Sequence, residues 1–366
     1  MSTVADIAAY LQEFAPLELA EEWDNVGLLL GDAAAAVDKV MTCLTVTPEA
    51  ASEAFAGGAQ LIVSHHPILF RPIQKLATTT TEGRMLLMLA HAGVAVYSPH
   101  TAFDNCSGGI NDILAQRLGL TGVSPLRPAE AARQCKIVVF VPDADLRKVS
   151  DAMFAAGAGQ IGQYRECSFR LAGTGTFFGS ESANPTVGQK GRREEVNEWR
   201  LEVLCPERSA EAVVAALRRA HSYEEPAFDV YALRSLRGKG GAGRIGTLAS
   251  PMLLSQFAAQ VKQALAASSV QVGGADKQVQ RVALACGAAG EFVREAIQQK
   301  ADVFLTGEMR FHDLVAAQAQ QLGIVLPGHY ATERCGVEEL AVRLQQQFPK
   351  LETWASRLEC DPLRSL

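Results

Sequence analysis

The sequence predicts an α/β fold made of two pseudo-repeated α/β halves that form one core, interrupted by an inserted domain. Three observations carry this. Short β-branched runs alternate with helical periodicity at both ends of the chain. Both ends also follow the same order of strand, ligand-type residue, helix, strand and His-x-x-x-acid, which is the mark of a degenerate duplication. The middle follows a different order of elements. At 366 residues, 48% hydrophobic and 20% charged, the chain is long enough to bury more than one core.

The first block is expected over residues 1–130. It opens with an amphipathic helix that sets Val4, Ile7, Ala8, Leu11 and Phe14 on one face. Gly58-Ala59-Gln60 then leads into the apolar run Leu61-Ile62-Val63-Ser64, which stops at His65 and His66. A later run, Val94-Ala95-Val96-Tyr97, ends at Ser98-Pro99-His100, with Asp104 four positions on.

The insert is expected over residues 131–236. Strand patterns at 137–141, 165–178, 197–204 and 228–233 combine with helices carrying Leu146, Val149 and Met153 and spanning 210–221. That order is βαββαβ, the ferredoxin-like plan. The polar stretch 181–195, with Asn184-Pro185 and Gln189-Lys190-Gly191-Arg192-Arg193, reads as a long mobile loop.

The last block is expected over residues 237–366. The segment from Gly238 to Gly243 formally fits G-x-G-x-x-G, but it runs into the extended Arg244-Ile245-Gly246-Thr247-Leu248 and reads as a linker. Ser250-Pro251 is expected to start a helix with Leu254, Phe257, Val261 and Leu265 in register. Gly287-Ala288-Ala289-Gly290 joins the strand Val282-Ala283-Leu284-Ala285 to a helix near Glu291 and reads as a tight connection rather than an anion site. Lys300-Ala301-Asp302 leads into Val303-Phe304-Leu305, which ends at Thr306-Gly307-Glu308. The run from Gly323 to Gly328 ends at His329, with Glu333 four positions on, and Leu340, Ala341, Leu344 and Phe348 mark the final helix.

Buried strands that stop at such side chains deliver chemistry to the C-terminal edge of a sheet. A histidine and an acid at i and i+4 share one helix face, and imidazole plus carboxylate suits zinc, manganese, iron, cobalt or nickel. Taken singly, each histidine is explained as well by a local backbone hydrogen bond. The set of His65, His66, Asp104, His329 and Glu333, at matching topological positions in a chain with seven histidines, reads as a metal site. His100 is added by the pseudo-symmetry. Eight cysteines show no short paired spacing that would compete for the metal, and Cys106 and Cys335 read as core thiols.

Ser64-His65-His66-Pro67, Ser98-Pro99-His100-Thr101-Ala102-Phe103-Asp104, Thr306-Gly307-Glu308, Gly328-His329-Tyr330-Ala331-Thr332-Glu333 and Glu22-Trp23-Asp24-Asn25-Val26-Gly27-Leu28 resemble the marks of the NIF-three-like family, the GTP cyclohydrolase 1 type 2 homologues. The resemblance spans nearly the whole chain. It implies a dinuclear centre with two divalent ions per subunit on His65, His66, Asp104, His329 and Glu333, the glutamate being the bridging ligand. One departure stands out: relatives commonly read Leu-Asp-x-Thr where this chain has Leu44-Thr45-Val46-Thr47. His221-Ser222-Tyr223-Glu224-Glu225-Pro226 resembles CutA-type and PII-type trimeric domains, which implies trimeric contacts through the insert and, with the family core, a homohexamer.

The formal charge of -6 and the lack of a basic stripe interleaved with aromatics argue against a nucleic-acid groove. No leader-like or long apolar stretch is read, and unpaired cysteine spacing fits a reducing compartment, so no membrane partner and a cytoplasmic location are expected. Two divalent ions outweigh two carboxylates in charge, so the centre favours an anionic substrate oxygen. The expected function is metal-dependent hydrolysis of a nucleotide or other phosphorylated small molecule, with His100 or Glu308 moving a proton. The alternative is a non-enzymatic metal-binding regulatory or metal-handling assembly protein.

Overall fold

The computed structural model describes residues 2–129, 133–162, 164–234 and 240–364. The chain divides into two compact units, one formed by Met1–Ala129 with Gly238–Leu366 and the other by Glu130–Arg237.

The first unit is mixed α/β and holds two large sheets. One has the strand order Glu352–Ala355, Lys39–Cys43, Leu61–Ser64, Ala95–Ser98, Gly27–Leu30, with the first four mutually parallel and the last antiparallel. The other has the order Gln271–Gly273, Gly323–Leu326, Val303–Thr306, Gln278–Ala285, Gly241–Leu253, Thr121–Pro128, with a parallel centre of three strands.

The central strands are apolar on both faces because both faces are covered. Leu61 and Val63 point into a core that also holds Leu284, Val303, Leu305 and Val325 of the second sheet, so the two sheets share one apolar interior. Ile62, one residue out of phase, packs on the outer side with Ala50, Ala54 and Leu89. Phe304 does the same on the second sheet, against Phe292, Ala296 and Ala317. The helices Val4–Phe14, Ile110–Arg117, Leu254–Ala264 and His329–Gln347 supply Ile7, Leu11, Leu114, Phe257, Val261, Leu340 and Leu344 to the shared interior. Each such side chain contributes about 1.5–3 kcal/mol on burial.

Arg244 sits in this unit with only 1% of its surface exposed. It binds both carboxylate oxygens of Asp112 and the carbonyls of Gly241, Gly243 and Cys106. A buried guanidinium is tolerated because all its donors are met.

In the second unit the elements run Gln134–Pro142, Leu146–Ala155, Ser168–Phe178, Arg193–Pro206, Ala210–Ala220 and Phe228–Ala232. Its antiparallel sheet has the order Phe228–Ala232, Gln134–Pro142, Arg193–Pro206, Ser168–Phe178. Ile137, Val139, Leu201 and Val203 alternate inward against Val149, Met153, Val213 and Leu217 of the two helices.

Three expectations need correction. The helix expected from Ser250-Pro251 begins at Leu254, because Ser250 and Pro251 belong to the strand Gly241–Leu253. They fall where the register with the neighbouring strand shifts, between Thr247 and Met252, and a proline without an N–H is tolerated at such an irregularity. The polar stretch 181–195 is shorter as a loop than expected, since Arg193 already opens a strand. It is also fastened, by Thr186 to the Ser222 carbonyl, Lys190 to the Glu181 carbonyl and the backbone of Gln189 to Glu194. Of the expected glycine-rich linker, Gly238 and Lys239 lie outside the described residues, and Gly241 begins a strand. Among the described residues no helix is long and apolar enough to cross a membrane.

Candidate metal centre

The pairing of Leu61–Ser64 with Lys39–Cys43 continues past its last residue: His65 N donates to the Cys43 carbonyl at 2.9 Å and His66 N to the Leu44 carbonyl at 2.8 Å. Both histidines are thereby held by main chain at the C-terminal edge of the sheet. Ser98, ending the next strand, donates to the His65 carbonyl at 2.6 Å, and Ser64 donates to the His66 carbonyl at 2.9 Å. The helix His100–Asn105 starts directly after Ala95–Ser98 and carries Asp104.

His329 opens the helix His329–Gln347, with Glu333 one turn on. Two glycines let neighbouring main chain close on this pair. A Cβ on Gly307 would lie 2.7 Å from the His329 Cα, and one on Gly287, whose φ is +64, would collide with Glu333 Oε1. The Gly287 turn is pinned by Thr332, which accepts from Gly287 N at 3.1 Å, and by Thr306, which donates to the Gly287 carbonyl at 3.0 Å.

The five expected ligands and His100 come together. Glu333 divides its carboxylate between two sets. Oε1 lies 3.7 Å from His65 Nε2, which is also 3.7 Å from Asp104 Oδ1. Oε2 lies 3.1 Å from both His66 Nε2 and His329 Nε2, themselves 3.4 Å apart. Donors bound at ~2.0–2.2 Å to one ion at tetrahedral to octahedral angles are themselves about 3–3.5 Å apart, close to these separations. Candidate metal-holding groups form from His65, His66 and His100 and from His66, His329 and Glu333.

His65 supplies a second test of fit. It is 1% exposed, and neither ring nitrogen has a hydrogen-bond partner. An orphaned buried imidazole costs about 1–3 kcal/mol, which a metal bond to Nε2 would offset in part. The donor set fits a divalent ion of the zinc-to-manganese range.

The electrostatics agree. Burial works against charge on Glu333, yet the histidines around it hold its carboxyl well below the usual range. Burial pushes Asp104 up. At His329 burial opposes protonation, but the Glu333 and Glu308 carboxylates raise it to about 9. The carboxylates thus draw positive charge onto His65 and His329, a role that cations would fill, while burial lowers the pKa of His66.

The surrounding residues include some that the sequence did not single out. Asp24, its side chain fully buried, places Oδ1 2.7 Å from His100 Nδ1 and accepts from Thr101 N and Oγ1 through Oδ2. That grip accompanies a φ of +30 at His100, a conformation rare outside glycine. Thr45 Oγ1 is 2.7 Å from His66 Nδ1, and Glu308 Oε1 is 3.2 Å from His329 Nδ1. Cys286 Sγ donates to Asp104 Oδ1 at 3.0 Å, and burial followed by the Asp104 charge keeps its thiol well above the ordinary value. Signals existed for two of these: Asp24 belongs to the Glu22–Leu28 motif, and Cys286 directly follows the strand Gln278–Ala285, as the other site residues follow theirs. Cys106 and Cys335 are buried core thiols.

A cavity of about 360 Å³ opens beside the centre, and its lining includes His66, His100 and Glu333 together with Trp23, Phe70 and Phe292.

Comparison with known proteins follows the same lines. Residues 2–362 match the family described as Duf34/NIF3 (NGG1p interacting factor 3). A protein of Halalkalibacterium halodurans named GTP cyclohydrolase 1 type 2 homolog is 38% identical over 355 residues, spanning 96% of this chain and 95% of that one. Its namesake in Bacillus subtilis is 37% identical over 328 residues, spanning 89% and 87%. Among solved structures, a Bacillus cereus protein related to NIF3 aligns with a TM-score of 0.72 at 35% identity, covering 100% of this chain and 99% of that one. A Staphylococcus aureus protein aligns with a TM-score of 0.79 at 26% identity, covering 100% and 99%.

Proposed function

The chain belongs to the Duf34/NIF3 family, and we propose that it is a dinuclear metal-dependent hydrolase acting on a nucleotide or other phosphorylated small molecule. The observation that carries this reading is the divided carboxylate of Glu333, with Oε1 toward His65 and Oε2 toward His66 and His329. His65, Asp104 and Glu333 would hold one ion, and His66, His329 and Glu333 the other. Two bound divalent ions supply Lewis acidity toward an anionic oxygen and lower the pKa of water.

The chain's own residues do the rest. Asp24 fixes His100 through Nδ1, leaving Nε2 as the free ring nitrogen of a side chain that lines the cavity, so His100 is placed to move a proton. Glu308 is better suited to orienting His329 through its Nδ1 than to moving a proton. Trp23, Phe70 and Phe292 give the cavity an apolar wall on which the uncharged part of a substrate can pack. The relatives' name refers to cyclohydrolase chemistry on a nucleotide, which is one member of this substrate class.

Residues 1–130 and 237–366 act as pseudo-repeated halves of one core. Residues 131–236 form a ferredoxin-like insert, supported by the sheet order of the second unit. The insert makes trimeric contacts within a homohexamer in the cytoplasm.

Elemental analysis of the unchelated protein beside His66→Ala and Glu333→Ala tests the centre. Close to two ions per subunit, falling sharply in both variants without a change of fold, supports it. Metal content indifferent to both changes overturns the ligand assignment. Loaded protein that turns over no phosphoester or nucleotide, yet exchanges metal readily, replaces the hydrolase with a metal-handling role.

A further inference from the structure

The second unit carries an open cavity of about 410 Å³, in the size range of small-molecule sites. Phe140, Phe177, Pro185 and Val187 give it apolar walls, and Glu198 and Tyr223 also line it. The loop that closes one side is fixed, since Thr186 Oγ1 donates to the Ser222 carbonyl at 2.7 Å and Asn184 N to Glu224 Oε1 at 3.0 Å.

The charge inside is one-sided. Glu198, Glu224 and Glu225 line the cavity, and among the described residues no lysine, arginine or histidine does. His221 beside it offers no charge: its Nδ1 accepts from Tyr223 N at 3.0 Å, so its Nε2 is the protonated nitrogen, 3.0 Å from the Phe140 carbonyl. Arg200 stacks over Phe140 at 5.9 Å but is committed to Glu202, which it meets at 2.8 Å, and it does not line the cavity. The Glu198 carboxylate lies over Gly175, so close that a side chain there would collide with it. The Tyr223 hydroxyl is shut off from solvent and makes no close hydrogen bond, but the Glu198 carboxylate faces it, and burial followed by that carboxylate pushes the phenol well above its ordinary value. A half-buried carboxylate beside a phenol that can donate to it still lacks a counter-charge, and a cationic N–H donor on an apolar body supplies one while the hydroxyl oxygen accepts an N–H.

We propose that this cavity binds a small organic cation, an amine or guanidine carried on an apolar group, with Glu198 taking the charge, the Tyr223 hydroxyl accepting an N–H, and Phe140 and Phe177 covering the apolar part. The site is independent of the metal centre and of the reaction proposed there.

Calorimetric titration of the full-length protein with benzylamine, against neutral benzyl alcohol and anionic benzoate, tests this. Benzylamine binds saturably at one per subunit, and the other two bind at least about tenfold more weakly. Glu198→Gln weakens benzylamine about tenfold or more with an unchanged unfolding temperature, and Tyr223→Phe weakens it less. Should Glu198→Gln not fold, Ala183→Trp, which fills the cavity while leaving the carboxylate in place, abolishes binding. Equal affinity for the amine and the alcohol, preference for benzoate, benzylamine binding untouched by Glu198→Gln or Ala183→Trp, or no binding by about 10 mM overturns the proposal.

Discussion

Thr45 Oγ1 lies 2.7 Å from His66 Nδ1, on the side of the ring opposite Glu333. When Nδ1–H is donated to that hydroxyl, the Nε2 lone pair is left facing the centre, which is the tautomer a metal needs. A hydroxyl is a weaker acceptor for this N–H than a carboxylate would be.

Thr45→Val therefore lowers metal affinity by about 10- to 100-fold, the usual effect of losing an outer partner of a ligating histidine. Thr45→Asp retains or raises it. Competition with a chelator of known affinity reads both. Equal affinity in all three proteins removes Thr45 from the support of the centre.

Gly287→Ala tests how tightly the centre is built. The new methyl collides with Glu333 Oε1, and the positive φ adds strain for any side chain. The expected outcome is sharply reduced metal content, with a stability loss of about 1–2 kcal/mol and unchanged far-ultraviolet dichroism. Full metal occupancy in this variant would mean that Glu333 is free to move and is not the fixed bridge proposed.

What the sequence reveals here follows from the range of the interaction involved. His65, His66, His329 and Glu333 were legible because each is placed by local chemistry, the end of a buried strand or one turn of a helix. Asp24 lies in a motif the sequence displays, but its pairing with His100, 76 residues away, is shown only by the fold. Cys286 was hidden for the same reason, meeting Asp104 across 182 residues. The start of the helix at Leu254 is hidden in the sequence because Pro251 is a common helix opener, and only pairing across the second sheet shows that the strand continues through it.

Arg244 joins Asp112 to the carbonyls of Gly241, Gly243 and Cys106 inside the first unit. Replacing it by methionine leaves Asp112 and three carbonyls without their partner, so a loss of about 3–5 kcal/mol is expected. Arg244→Lys does not rescue it, because an ammonium cannot span the two oxygens of Asp112 and the carbonyls together. Urea denaturation of the three proteins measures this. A lysine variant as stable as the parent would show that charge alone, without the guanidinium fork, is sufficient.

Glu53 sets a pH dependence away from the metal centre. Its carboxylate accepts from Ser356 Oγ at 2.7 Å and from the backbone N–H groups of Arg357 and Leu358, tying down the segment that follows the strand Glu352–Ala355. Burial alone would raise its pKa, but these hydrogen bonds, Ser356 first, bring it below the ordinary value. A folded-state pKa below the unfolded one means a contribution that is full above the unfolded value and is lost as pH falls through the folded one. Glu53→Gln therefore costs about 1 kcal/mol at pH 7, a figure already discounted for partial exposure, and that cost shrinks toward zero as the pH is taken below the usual carboxylate range. Urea unfolding of parent and variant across that interval reads the difference directly. A gap that stays constant with pH would show that Glu53 acts through packing rather than through its charge.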